Sequence, residues 1–190
     1  MAWIIDPTHS TLEFRAKHMM FTTVRGQFDS FQGTLNLDTE NPANSIVEGT
    51  VEIASIDSGD NNRDTHLRSP DFFDAENHPQ MTFRSTHIEH KGGNEFKVYG
   101  DLTVRGNTRQ IVWDVEAADL GKDPWGNLRL GFSAETKINR KDYGLNWNVA
   151  LETGGWLVSE EIKIYAEVQA VQSVEDAKET AEAETELVSA

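Results

Sequence analysis

The chain contains no cysteine. Disulfide bonds, thiolate metal ligands and cysteine nucleophiles are therefore excluded, and the fold must be stable without covalent cross-links. Long apolar runs are also missing, since no stretch approaches the ~20 apolar residues of a membrane helix. The first residues lack the basic start and the apolar core of a secretory signal. We therefore expect no stable membrane insertion, and a cytoplasmic location unless a signal has been removed.

Positive charge is scarce, because 17 lysine and arginine residues stand against 32 acidic ones and give a formal net charge of -15. Such a chain repels nucleic-acid phosphates, so we expect no nucleic-acid partner. As a whole it also has little attraction to an anionic membrane. The last 18 residues hold six acids, one lysine and few large apolar side chains. We expect residues 1–172 to form one domain and residues 173–190 to form a disordered acidic tail.

Motifs of several enzyme classes are missing as well. No stretch matches the G-x-S-x-G turn of hydrolases, and no glycine-rich phosphate-binding loop is present. We therefore assign no catalytic residue and no cofactor.

Apolar and polar residues alternate with period two along most of the chain. In the stretch 11–18, for example, Leu12, Phe14 and Ala16 share one face. About eight such stretches occur, and turn sequences such as "KGGN" and "RGNT" separate several of them. Strands with one apolar face need a cover over that face, so the pattern predicts an all-β antiparallel fold, either a sandwich or a closed barrel.

The space inside a closed barrel is called here the lumen, and it can be open or filled by side chains. Eight strands leave room that side chains can fill or that can hold one small ligand. Small residues fall on the predicted inward faces, which favours an open lumen or a tapered packing: Ala16, Gly26, Gly33, Gly49, Gly100, Ala134 and Ala166. Periodicity alone leaves both alternatives open.

One segment, residues 57–79, breaks the alternation and is called here the crossover segment. Asp60 or Asn61 suits the N-cap of a helix. Pro70 suits a first helical position. We predict a short helical segment at about 60–76 that lies across one end of the barrel, with three inward side chains: Leu67, Phe72 and Phe73.

The crossover segment also suggests an enzyme, because it combines several aspartates with His66 and His78. The two histidines lack the i, i+4 spacing of zinc proteases, and the acids lack the spacing of a calcium loop. Caps and ion pairs with Arg63 and Arg68 explain most of these residues, so we assign no metal site. A metal-dependent or acid/base enzyme that uses residues 57–78 stays as the alternative.

Six stretches in chain order carry a resemblance to a known family: "WIIDPTHSTLEFRAKHMMFTTVRGQF" (3–28), "GTLNLD" (33–38), "VEIASIDSGDNNRDTHLRSPDFFDAENHPQMTFRST" (51–86), "VYGDLTVRGNTRQIVWDVE" (98–116), "INRKDYGLNWN" (138–148) and "EIKIYAEVQA" (161–170). They resemble the YceI-like family, also described as polyisoprenoid-binding proteins. The resemblance implies an eight-stranded lipocalin-like barrel whose lumen holds a polyisoprenoid, an isoprenoid quinone or a similar long-chain lipid. It also implies a helical segment at the barrel mouth and a possible homodimer, and it supplies no catalytic residue.

The expected function is therefore non-enzymatic binding, carriage or storage of such a lipid. The predicted lumen wall consists of Phe14, Ala16, Phe28, Val51, Ile53, Phe83, Phe96, Val98, Leu102, Phe132, Ala134, Ile164 and Ala166. The predicted mouth, which would meet a polar head group, consists of Arg63, His66, Leu67, Arg68, Phe72, Phe73, Asn139, Arg140, Asp142 and Asn148. A third possibility is an interaction module whose barrel is solid.

Overall fold

Twelve strands and one α-helix account for most of residues 2–38 and 40–172, the part of the chain that the computed structural model describes. The predicted acidic tail lies outside these residues. The strands are β1 (Ala2–Ile5), β2 (Thr11–His18), β3 (Thr22–Phe28), β4 (Phe31–Asn36), β5 (Ile46–Glu52), β6 (Ile56–Asp57), β7 (Gln80–Gly92), β8 (Glu95–Val104), β9 (Asn107–Ala117), β10 (Gly121–Lys122), β11 (Leu128–Asn139) and β12 (Val158–Gln172). The helix is α1 (Asn61–Arg68), and 3-10 turns occupy Pro7–His9, Pro42–Asn44, Ile53–Ser55 and Arg140–Tyr143.

The strands close into a barrel with eight strand positions. Three positions are bent strands made of two pieces each, β1 with β2, β3 with β4 and β5 with β6, while β7, β8, β9, β11 and β12 supply the others. All pairings are antiparallel, and β12 completes the ring by pairing with β11 on one side and with β1 and β2 on the other. Closure covers every apolar face and leaves no long unpaired edge in the ring. The predicted eight-stranded antiparallel barrel is thus confirmed.

Strand direction sorts the connections to two ends. One end, called here the helix end, carries the hairpin turn at 19–21, the crossover segment, the turn at 105–106 and the long connection 140–157. The opposite end, called here the termini end, carries residues 2 and 172 and the connections 37–45, 93–94 and 118–127.

The crossover segment begins as predicted but holds a shorter helix. Asp60 caps α1, since its carboxylate accepts the backbone N–H of Arg63 at 2.9 Å. The helix ends at Arg68 because Ser69, which precedes Pro70, adopts an extended backbone conformation with ψ 168°. The following residues form turns, which are closed by hydrogen bonds back to the Ser69 carbonyl. Among the described residues, no helix has the length and apolar character needed to span a bilayer.

Each end of the barrel has its own apolar cluster. Trp3, Leu35 and Ala170 are buried at the termini end. There Arg129 donates to Asp6 at 2.7 Å and to Asp123 at 2.9 Å, so it joins the connection 118–127 to the first strand. The hydrogen bond from Arg129 lowers the pKa of Asp6 to about 2, which keeps this carboxylate charged near neutral pH. The termini end is therefore fixed by both apolar packing and ion pairs.

Two glycines allow aromatic rings to lie over the neighbouring strand. Gly26 pairs with Phe14, and a Cβ atom at Gly26 would lie 2.3 Å from the ring. At Gly100, a Cβ atom would lie 2.4 Å from the Phe83 ring and 2.6 Å from the backbone oxygen of Arg84. The small inward residues of the sequence are thus partly space for aromatic side chains.

Gly100→Ala is expected to destabilise the protein by about 1–3 kcal/mol, because the added methyl group meets backbone as well as a ring and forces both to move. Urea unfolding, followed by tryptophan fluorescence, measures the change.

Gly49→Ala is the matched control, since its nearest neighbour would be the Gln32 oxygen at an ordinary 3.8 Å. We expect that variant to be neutral or slightly more stable, because alanine loses less backbone entropy than glycine on folding. Equal destabilisation of both variants would contradict the close-approach explanation at Gly100.

Candidate functional site

An apolar cavity of about 300 Å³ runs through the barrel interior. All eight strand positions contribute to its wall, so the cavity is the lumen of the barrel. Its volume lies at the lower end of the range of ~300–1,000 Å³ that is usual for ligand pockets. The barrel is therefore not solid, which favours a binding function over the module with a filled interior.

Most of the predicted wall residues do line this cavity. They are Phe14, Ala16, Phe28, Val51, Phe83, Val98, Leu102, Phe132, Ala134, Ile164 and Ala166. Alternation with period two identifies them because the strands face solvent on one side and the lumen on the other. That these side chains contact a ligand stays a prediction.

Two predicted wall residues, Ile53 and Phe96, lie elsewhere. Ile53 is buried, but it sits in the 3-10 turn between β5 and β6 and packs with Phe28 and Ile56. Phe96 lies near the termini end of β8, where its ring stacks on His90 at 4.9 Å. Both continue the alternation of inward-facing residues, Ile53 from β5 and Phe96 within β8. Neither lies at a height along the barrel where the cavity has its wall.

Other wall residues were not predicted. Phe31 and Trp113 line the lumen, together with Tyr143 and Leu145 from the connection at the helix end. The alternation of Ile111, Trp113 and Val115 carries a signal for the tryptophan. No periodic signal marks Tyr143 and Leu145, because they follow the end of β11.

A pair of small residues widens the lumen between β11 and β12. Ala134 and Ala166 are direct cross-strand partners, and both line the cavity. Side chains directly opposite each other have Cβ atoms only ~4.5–5.5 Å apart. Two alanines at such a position leave space that larger residues would fill.

The crossover segment closes the helix end with apolar side chains. Leu67, Phe72 and Phe73 line the lumen, as the sequence predicts for their position. His66 does not line the lumen. Its ring meets Phe72 and Trp147 edge-on, with centroids 5.1 and 4.7 Å away, and its Nε2 lies 2.8 Å from an Asp71 oxygen.

The aspartates of the crossover segment form hydrogen bonds with backbone and side-chain groups of the same segment. Buried Asp64 accepts the N–H of Ser58 at 2.9 Å, and Asp74 accepts the amide of Asn77 at 3.0 Å. Within residues 2–38 and 40–172, no three histidine or acidic side chains come together in a way that could hold a metal ion. These residues therefore shape the end of the barrel.

The polar residues predicted at the mouth are also mostly engaged in local hydrogen bonds. Arg63 donates to Ser58, Arg68 donates to the Ala54 carbonyl, and Asn139 accepts the N–H of Lys141. Asn148 bonds the backbone of Val158 through both ends of its amide. Asp142 lies with Asn139 beside a separate groove on the outside of the barrel. Of this polar set, Arg140 lines the lumen.

Arg140 is a buried cation that is held by backbone carbonyls. Its side chain donates to Ser159 at 2.8 Å, to Leu145 at 2.5 Å, to Trp147 at 2.9 Å and to Val158 at 3.4 Å. Burial lowers the pKa of its guanidinium from the ordinary value, though arginine remains protonated at physiological pH. Arg140 thereby fixes the connection 140–157 against the start of β12.

Tyr143 places an unsatisfied hydroxyl at the same end. The residue is only 2% exposed, and its hydroxyl has no hydrogen-bond partner among the residues that the structure describes. Burial raises the pKa of Tyr143 to about 12, so the hydroxyl keeps its proton near neutral pH. A buried polar group without a partner costs free energy. Tyr143 lines the lumen and also borders the groove outside the barrel, where Arg109 and Asp142 lie. Its hydroxyl is covered in the ligand-free protein.

Comparison with known proteins agrees with this geometry. The family model described as the YceI-like domain matches residues 3–170. Protein YceI of Escherichia coli is 37% identical over 164 residues, which are 86% of this chain and 82% of that protein.

Solved structures show the same fold. BcnA of Burkholderia cenocepacia superimposes with a TM-score of 0.77 and 26% identity, covering 87% of this chain and 98% of BcnA. A polyisoprenoid-binding domain from Saccharophagus degradans has a TM-score of 0.67 and 14% identity, covering 90% and 98% of the two chains. At that identity the second likeness shows the fold alone.

Arg140→Met is expected to destabilise the protein by at least about 2 kcal/mol, because several buried carbonyls lose their donor. Arg63→Met is the control, since Arg63 is exposed and its loss is expected to cost within about 1 kcal/mol. Urea unfolding of both variants measures the difference. Equal, small losses would contradict a structural role for Arg140.

Proposed function

The chain belongs to the YceI-like family, and from that premise we propose that it binds an elongated apolar ligand in its lumen without catalysing a reaction on it. The ligand class is a polyisoprenoid, an isoprenoid quinone or a similar lipid. The observation that carries the proposal is the apolar cavity walled by all eight strand positions. A domain described as polyisoprenoid-binding has the same fold.

Burial of the apolar chain supplies most of the affinity. Each buried methylene contributes ~0.8 kcal/mol, so roughly ten buried carbons contribute about 8 kcal/mol before ordering costs. One hydrogen bond to a head group contributes only ~1 kcal/mol net. The lumen thus determines how tightly a ligand binds, while polar groups determine its orientation.

Tyr143 favours a ligand whose polar end accepts a hydrogen bond. Its protonated hydroxyl is buried at the helix end without a partner among the described residues, whereas Arg140 uses its donors on backbone carbonyls. A terminal hydroxyl or quinone carbonyl at this end satisfies the Tyr143 hydroxyl. In this proposal a shift of the neighbouring side chains opens the covered hydroxyl to the lumen. The head group then lies beneath the crossover segment, and the chain extends toward the termini end.

An enzymatic use of residues 57–78 has less support. The side chains of that segment that line the lumen are Leu67, Phe72 and Phe73, none of which can transfer a proton. Asp60 caps α1, Asp64 accepts the backbone N–H of Ser58, and Asp74 accepts the side-chain amide of Asn77. Carriage as opposed to storage, a homodimer and a cytoplasmic location stay predictions.

Filling the lumen tests the proposal. Ala134→Leu with Ala166→Leu adds six carbon atoms between β11 and β12. We expect binding of a prenyl quinone to weaken at least tenfold. Displacing two ligand methylenes from the lumen, at ~0.8 kcal/mol each, already corresponds to about that factor. Quenching of tryptophan fluorescence by the quinone measures binding.

Ser133→Leu is the matched control, because Ser133 is the exposed neighbour of Ala134 on the same strand. We expect this variant to bind like the wild type. Unchanged binding by the doubly substituted protein, with its unfolding midpoint retained, would contradict binding in the lumen.

Tyr143→Phe tests the position of the head group. In the ligand-free protein we expect a gain in stability of up to about 1 kcal/mol, because an unpaired buried hydroxyl is removed. Binding of a prenyl quinone should fall about fivefold, the equivalent of one hydrogen bond. Binding of the matching hydrocarbon without a head group should stay the same; an equal loss for both ligands would argue against the assigned head-group position.

A further inference from the structure

Five large apolar side chains are exposed together on two loops at the helix end. Met19, Met20 and Phe21 form the turn between β2 and β3, with 43%, 67% and 83% of their surface exposed. Val149 and Trp156 belong to the connection 140–157, with 46% and 51% exposed. We call these five residues the tip patch.

The two loops of the tip patch are joined to each other. The N–H of Met19 donates to the Leu157 carbonyl at 2.8 Å. Gly155 leaves room for Met20, whose sulfur lies only 2.5 Å from the place a Cβ atom of Gly155 would occupy. The loops therefore present one continuous apolar surface, held in a defined shape.

The turn that carries the methionines is strained. Met19 has a φ of 50° and Met20 a φ of 64°, which is the left-handed region. The Phe21 N–H donates to the His18 carbonyl at 3.1 Å, so Met19 and Met20 are the two central residues of a tight turn within this three-residue loop. Two central residues with positive φ are normally Asn-Gly, because a side chain such as methionine is unfavourable there. Strain that a simpler turn sequence would avoid is characteristic of functional sites. Both hydration and backbone preference therefore disfavour the two methionines that stand here.

The strands beneath the tip patch carry a row of aligned cations, although the chain as a whole is acidic and β12 itself holds three glutamates against one lysine. Residues 15–25 hold Arg15, Lys17 and Arg25 and no acid. In the barrel, four cations stand in one cross-strand row on four neighbouring strands: Lys137, Lys163, Arg15 and Arg25. Like charges directly opposite one another on adjacent strands are destabilising, so this row is a further unfavourable feature at this end of the barrel.

Three acidic residues near this row, Glu13, Glu135 and Glu161, neutralise most of its four charges, and Lys17 adds one cation on the side of the tip patch. Glu13 lies 3.6 Å from Arg15, and Glu161 lies 3.6 Å from Lys137. On the second loop, Lys141 lies 5.8 Å from the Trp156 ring and pairs with Glu160, while Glu152 is exposed. The remaining net charge of the protein is screened beyond a distance of ~8 Å at physiological ionic strength.

We propose that the tip patch docks on the surface of a lipid bilayer that contains anionic lipid. The apolar tips enter the interface, where tryptophan is favoured and amphipathic segments insert by ~5–10 Å. Arg15 stands four residues from Met19, or ~13 Å along an extended strand, so the cation row lies near the lipid phosphates. The charge of the whole chain predicts little attraction to an anionic membrane, whereas the proposal rests on the local position of four cations in the barrel.

A second copy of the chain fits the tip patch less well. Two copies that met at this patch would bring their cation rows toward each other, whereas an anionic lipid surface is complementary to them. The purpose of the docking, exchange of a lipid between bilayer and lumen, rests on the proposed function; the docking itself does not.

Vesicle flotation tests the inference. The wild-type protein is expected to float with vesicles of phosphatidylcholine and phosphatidylglycerol, more weakly at high salt or with phosphatidylcholine alone. Met20→Asn with Phe21→Ser is expected to lower vesicle binding at least tenfold. Asparagine suits the left-handed turn, so the unfolding midpoint of this variant should not fall. Trp125→Ser is the control, since Trp125 is 83% exposed at the termini end and its variant should bind vesicles like the wild type.

Binding of a short-chain prenyl quinone in vesicle-free solution separates this inference from the proposed function. We expect the Met20→Asn, Phe21→Ser protein to bind that quinone like the wild type. If no quinone binds but flotation depends on the tip patch, the docking stands and the proposed function fails.

Three results would overturn the docking. In the first, Met20→Asn with Phe21→Ser leaves flotation unchanged. In the second, the Trp125→Ser protein loses as much vesicle binding as the doubly substituted protein. In the third, the wild-type protein does not float and is a dimer, while the doubly substituted protein is a monomer. The last result would assign the patch to a contact between copies.

Discussion

An apolar barrel interior that its own side chains leave unfilled is the constraint on which the rest of the structure depends. Lost packing costs about 24 cal/mol per Å³ of cavity, so a lumen of about 300 Å³ forgoes on the order of 7 kcal/mol of stabilisation. The facing Ala134 and Ala166 keep that space open. Stability must come from elsewhere, and it comes from closure of the ring by β12 and from the two sealed ends.

The two ends are sealed in different ways. Trp3 and the ion pairs of Arg129 close the termini end with ordinary packing and paired charges. The helix end combines apolar side chains of the crossover segment with Arg140, which satisfies backbone carbonyls, and with Tyr143, whose hydroxyl is unsatisfied among the described residues. The exposed turn at Met20 lies at this end as well. The features that suggest function are therefore concentrated on one side of the lumen.

The sequence predicts the strands and their apolar faces well, because alternation reports directly which face of a strand is apolar. Alternation leaves a sandwich and a barrel open, and the resemblance to the YceI-like family supplies the eight-stranded barrel. It also places Leu67, Phe72 and Phe73 correctly, since an apolar residue in a capped crossover has to pack against the nearest open end. Alternation does not report depth, which is why Ile53 and Phe96 have the right parity and lie off the cavity wall. The contacts of the polar residues predicted at the mouth could not be read from the sequence, because Arg63 and Arg68 bind partners that only the folded segment brings near. Whether the Tyr143 hydroxyl finds a hydrogen-bond partner depends on the positions of all the surrounding atoms, and no local sequence pattern predicts these.

Native mass spectrometry of the protein purified from its own host tests the central claim most directly. The account predicts a fraction of molecules with the added mass of one prenyl lipid, which organic extraction removes and a prenyl quinone restores. A protein that carries no lipid from its host and that takes up no prenyl quinone after extraction would contradict the account.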